Sequence, residues 1–132
     1  MPNTVPMLLM YNLENEKGVR LRMICLKLKI RARSVKPEEY GQPVGALAGA
    51  LPPASSPAPV EGFSGEMLVF ANFSEALLNR YLAELRAARM PGVALKAVLT
   101  PNNMHWNSAQ LFEELGKEHE AMRYHRPAHK PQ

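Results

Sequence analysis

Four prolines crowd the span Leu51–Gly62, LPPASSPAPVEG. Proline fixes φ and brings no N–H, so neither a helix nor a central strand runs through this stretch. It therefore divides the chain into two blocks joined by a long connection. The composition predicts a mobile surface linker, either a variable insertion or a lid.

Each block reads as strand, helix, strand. In the first, Met7–Leu13 (MLLMYNL) is an apolar run of strand length. Its lack of alternation suits a strand covered on both faces. From Glu16 to Lys29 the pattern turns helical, with Val19, Met23, Leu26 and Ile30 at intervals of three to four. Leu21, Ile24, Cys25 and Leu28 widen that stripe, which is expected to face the core. Ile30–Val35 (IRARSV) alternates, as a half-exposed strand does, and its arginines suit a sheet edge. Pro37-Glu38-Glu39-Tyr40 resembles the first turn of a short helix. Gly41, Gly45 and Gly49 then recur every four residues, which suits close helix packing or a loop passing near a ligand. The segment lacks the GK[ST] ending of a phosphate loop.

In the second block Glu66–Phe73 is an apolar strand, Ser74 an N-cap candidate, and Glu75 to Arg89 a helix with Leu78, Leu82 and Leu85 inward. Pro91-Gly92 stops it. Val93–Leu99 alternates as a strand, and a polar loop, TPNNMHWN, leads into a last helix from Ser108 to about Arg123. His125–Gln132 is expected to be a flexible tail. Residues 1–124 thus form one α+β domain with an internal linker at 51–62.

Two β-α-β blocks in series predict a ferredoxin-like four-stranded sheet of order 4-1-3-2, with an appended C-terminal helix. The apolar first and third strands belong in the centre and the charged second strand at an edge. In that order the second and fourth strands both run against the central pair, so the GQPVGALAG and TPNNMHWN segments would leave the sheet at one shared edge. A doubly wound parallel sheet is the alternative, and the charged second strand argues against it.

With 132 residues the chain can bury a core without a metal or disulfide staple. Its single cysteine, Cys25, excludes an intrachain disulfide and reads as a small core hydrophobe. There is no CxxC, HExxH or Cys/His cluster, so no metal and no cofactor are expected. Glu114, Glu118 and His119 would make at most a weak metal site and read better as a solvated face. No basic leader precedes an apolar run, and no run approaches the roughly 20 residues that cross a bilayer. A cytoplasmic location without membrane attachment is the expectation.

The net charge of +4 is uneven. Residues 14–36 hold eight Lys/Arg against two Glu, whereas the remainder holds eight basic and ten acidic residues. Lys17, Arg20, Arg22, Lys27, Lys29, Arg31 and Arg33 therefore form a candidate basic patch for phosphate or nucleic acid. No aromatic RNP-type motif accompanies it, so a solvated face is the favoured reading. The candidate ligand site lies in the polar loop and the glycine-rich segment: Gln42, Gly45, Thr100, Asn102, Asn103, His105 and Trp106. Here the plainer reading makes the asparagines turn residues and Trp106 a plug under the last helix. His105 has no Ser, Cys or Asp partner in sequence, so no catalytic residues are assigned.

LLMYNLENEKGVRLRMICLKLKI, Tyr40–Gly45, Glu66–Val69, LKAVLTPNNMHWN and LFEELGKEHEAM together resemble the bacterial domain of unknown function 3783. The resemblance implies a small bacterial protein with no assigned activity, and it carries no catalytic residues. The expected function is a non-enzymatic ligand- or partner-binding module that self-associates as a homo-oligomer through an open sheet face. The alternatives are nucleic-acid or phosphate binding through residues 17–36, and a small-molecule enzyme with its site at the 100–107 loop.

Overall fold

A computed structural model describes residues 5–57 and 59–129, the side chains only as far as Ala121. The elements are β1 (Met7–Tyr11), α1 (Glu16–Lys27), β2 (Arg31–Val35), α2 (Val44–Leu47), β3 (Met67–Ala71), α3 (Glu75–Ala87), β4 (Leu95–Val98) and α4 (Ser108–His129). Single 3-10 turns at Pro37–Glu39 and Asn103–His105 follow β2 and β4.

The fold is α+β with one mixed sheet, but its strand order is β2-β1-β3-β4. β1 pairs parallel with β2, β3 pairs parallel with β4, and β1 and β3 meet antiparallel. This corrects the ferredoxin-like 4-1-3-2 order. Composition had placed the apolar strands centrally and the charged β2 at an edge, which holds. Both orders satisfy that requirement, however, and apolar content does not specify which edge strand neighbours which central strand. In the observed order each crossover returns beside its own first strand.

The two blocks are structural copies. β1 pairs with β3 in the register Met7↔Ala71, Leu9↔Val69 and Tyr11↔Met67, so residues 60 apart are related by a pseudo-two-fold axis at the Leu9–Val69 pair. Asn12 and Asn72, one residue past each central strand, both take positive φ (60° and 62°). Lys29 and Arg89, just past the helix caps Leu28 and Ala88, do the same (61° and 53°). Each helix closes alike: the Ile30 N–H donates to the Cys25 carbonyl and the Met90 N–H to the Leu85 carbonyl. Asn15 and Ser74 cap the two N-termini through their side chains.

The sheet is covered on both faces. Leu8, Met10, Leu68 and Phe70 point to the side of α1 and α3, where they pack with Leu21, Cys25 and Tyr81. Met7, Leu9, Tyr11, Met67 and Val69 point to the other, beneath α2 and the start of α4. The linker belongs to this second layer. Val60 and Phe63 pack on the core, and Phe63 stacks between Tyr40 (4.5 Å) and Phe112 (4.0 Å). The Gln42 amide holds the linker at Ala54 through both backbone groups, at 2.8 and 3.0 Å. Residues 51–57 and 59–62 are thus irregular, as the prolines require, but tied down. In this span the prolines bar ladders and helices, not packing.

Two further expectations are corrected. Val19, Met23 and Leu26 do not face the core: they are 56, 65 and 81% exposed, and Gly18, Leu21 and Cys25 are the buried face. The last helix does not end near Arg123 but continues to His129, since no helix breaker stands between Arg123 and Pro127. The remainder of the expected tail, 130–132, lies outside the described residues.

Candidate functional site

Because β1 and β3 are antiparallel, β2 and β4 leave the sheet at opposite ends, not at one shared edge. The GQPVGALAG and TPNNMHWN segments nonetheless meet, because each folds back over the same face towards the pseudo-two-fold axis. Pro43 and Asn107 form an antiparallel bridge. The Val44 N–H donates to the Trp106 carbonyl (2.8 Å) and the Ser108 N–H to the Tyr40 carbonyl (3.0 Å). A Cβ on Gly45 would lie 2.9 Å from Met104, so this glycine serves close packing between α2 and the 103–105 turn.

The polar side chains at this junction are occupied by the backbone. Thr100 Oγ1 accepts from the Asn103 N–H (3.0 Å) and Asn103 Oδ1 from the Thr100 N–H (2.9 Å), a reciprocal capping box. Asn103 Nδ2 also donates to the Val98 carbonyl. Asn107 Oδ1 caps α4 by accepting from the Gln110 N–H. Asn102 and His105 are exposed. Trp106 is half-buried against the core that contains Tyr40, Val44 and Leu47, the position of a plug. Beneath it the Tyr11 hydroxyl and Ser108 Oγ share a buried hydrogen bond of 2.7 Å. Ser108 and Phe63 escaped the sequence reading; the one looked like a helix start and the other like part of a loop.

The basic residues are largely spent on the fold. Lys17 pairs with Glu66 (2.6 Å) and donates to the Gly92 carbonyl. Arg20 donates to the Ala88 carbonyl at the end of α3, and Lys27 pairs with Glu84 (3.1 Å). These three tie α1 to the second block. On the other side Arg22 donates to Ser34, and Arg33 bridges the Leu47 carbonyl and Glu39 (2.6 and 2.5 Å). Lys29 and Arg31 are exposed. Cys25 is buried, its thiol donating to the Tyr81 hydroxyl (3.7 Å), and burial pushes it up to about 11, against the ordinary 9.0. It is no thiolate nucleophile at neutral pH. Among the described residues no three His, Cys, Asp or Glu side chains come together as metal ligands, and no helix is long and apolar enough to cross a membrane.

What remains unassigned is the crest of α1. Val19, Met23 and Leu26 recur at i, i+4 and i+7 and form one exposed stripe. Arg22 borders it on the β2 side, and Arg20 and Lys27 border it on the α3 side. The repeat supplies an internal control: the corresponding residues of α3 are Asn79, Ala83 and Arg86, also exposed. The frame therefore does not require an apolar crest; only the first block has one.

Residues 66–122 match the family model described as Domain of unknown function (DUF3783). This segment, a little under half of the chain, is similar to the DUF3783 family. The match begins at Glu66 just before β3 and ends within α4, so it spans the second block alone. The first block, which carries the apolar crest, folds as a copy of this DUF3783 segment. Neither the curated proteins nor the solved structures yielded a match to the chain.

Proposed function

We propose that the protein is a non-enzymatic binding module that docks a protein partner on the crest of α1. The observation that carries this reading is the exposure of Val19, Met23 and Leu26 where α3 carries Asn79, Ala83 and Arg86. An exposed apolar stripe costs solubility, and contiguous ones mark contact surfaces. Lys27 is already neutralised by Glu84, but Arg20 and Arg22 meet only neutral oxygens, and their charge favours an amphipathic partner helix whose apolar stripe is edged with carboxylates. A second copy docked crest to crest would set cation against cation, so the partner is a different chain. Self-association through an open sheet face loses its footing, since both faces are covered from within. Three side chains are few beside the roughly 800 Å² that each partner of a standard interface buries, so binding is weak and reversible. A bacterial, cytoplasmic setting accords with this role.

The test uses two synthetic helical peptides with the same leucine stripe, one edged with glutamate and one with lysine. Fluorescence anisotropy should show the glutamate peptide binding, weakening with salt, and failing on a Met23→Ser/Leu26→Ser variant of unchanged melting temperature. Equal binding by that variant, or by the lysine peptide, sinks the proposal. A dimer seen by light scattering and dissolved by the same variant would replace the foreign partner with a second copy.

A further inference from the structure

A second asymmetry between the blocks lies elsewhere and stands independently of the crest. In the first block Ile30 leads straight from the helix cap into β2. In the second, four extra residues, Pro91–Ala94, separate Met90 from β4. They wall off a cavity of about 330 Å³ beside α3 and β4. Its apolar lining includes Leu82, Leu85, Met90 and Val93, and its only charged lining residues are the cations Arg86 and Lys96. Both cations belong to residues exposed to solvent. The Lys96 ammonium is held by donating to the Val93 carbonyl (2.7 Å). The Arg86 guanidinium has no partner among the described residues. Glu66, which shares Lys17 with the Gly92 carbonyl, is held in that ion pair.

We infer that this cavity binds a small carboxylate with a compact apolar body, its chain among the leucines and its carboxylate at Arg86 and Lys96. The volume is at the lower end of the 300–1,000 Å³ usual for small-molecule sites, room for a body of about eight carbons. Guanidinium and ammonium donors favour a charged oxygen over a hydroxyl. A neutral apolar ligand would leave that pair of cations without a role.

The test is a titration of the full chain with octanoate and with 1-octanol, followed by amide chemical shifts. Octanoate is expected to shift residues between Leu82 and Lys96 and to bind more tightly than octanol. Arg86→Glu should weaken octanoate about tenfold and change octanol less than about twofold. Leu85→Trp, which fills the cavity, should remove both. Because Arg86 is exposed, its variant keeps the test open if the tryptophan variant fails to fold. Octanoate shifts outside this region, no shifts at all, or octanol binding as tightly as octanoate would overturn the inference.

Discussion

Two buried tyrosines on the covered face show how much a single hydroxyl depends on its surroundings. Tyr11 and Tyr40 lie 5.7 Å apart, ring to ring, and both are fully buried. The Tyr11 hydroxyl is satisfied by Ser108 at 2.7 Å, whereas the Tyr40 hydroxyl, among the described residues, makes no hydrogen bond of good geometry and has the Asn12 side chain as a loose partner. Removing a satisfied hydroxyl strands its partner, and removing an orphaned one relieves a desolvation cost. Tyr11→Phe should therefore cost about 1–3 kcal/mol in urea denaturation, while Tyr40→Phe should be neutral or stabilising by up to about 1 kcal/mol. Equal losses in the two variants would contradict this account. Cys25, Thr100, Asn103 and Asn107 belong at the same scale: their chemistry is consumed locally. That outcome was legible for Cys25, which has no neighbouring base in sequence. For Thr100 and Asn103 the capping-box spacing, Thr-x-x-Asn, was present in the sequence, but the same residues equally fit a ligand loop.

At the scale of elements, α1 shows why periodicity alone misassigned a face. Its apolar residues occur all round the helix: Val19, Met23 and Leu26 on one side, Leu21, Ile24, Cys25 and Leu28 on the other. Two interleaved stripes at helical spacing are equally periodic. Gly18 breaks the tie, because its α-carbon sits against the Leu13 carbonyl, where a Cβ would come within 1.7 Å. That close approach turns Leu21 and Cys25 inward and Met23 outward. Leu21→Ala should cost about 2–5 kcal/mol, whereas Met23→Ser and Leu26→Ser should each stay within about 0.5 kcal/mol. A thermal melt in which the serine variants lose as much as Leu21→Ala would restore the rejected face. The linker gives the complementary lesson. Its four prolines announced irregular backbone correctly, but Phe63 stacks on both Tyr40 and Phe112, a contact between parts of the chain that no local pattern encodes.

For the whole molecule, the class of fold and the central strands were legible because burial leaves its mark on composition. The strand order was not, because it depends on how two blocks meet. A signal for their kinship existed at a spacing of 60: Met7 and Met67, Leu8 and Leu68, Asn12 and Asn72 are identical pairs. The blocks also share their second core layer, with Tyr11 bonded to Ser108 and Pro43 bridged to Asn107. Neither half therefore keeps its core when the other opens. Scanning calorimetry should show one transition, its calorimetric and van't Hoff enthalpies equal. Two resolved transitions would mean that the blocks are independent.

The antiparallel seam between β1 and β3 has the self-matching geometry of a contact between two identical subunits. Here the two subunits are one polypeptide, and a covalent tether holds them at an effective concentration of the order of millimolar. Such a pair stays assembled at any dilution, and neither half must keep a surface that suits its twin. Each is released to specialise, the first with a greasy ridge on its helix, the second with a lengthened turn and the hollow behind it.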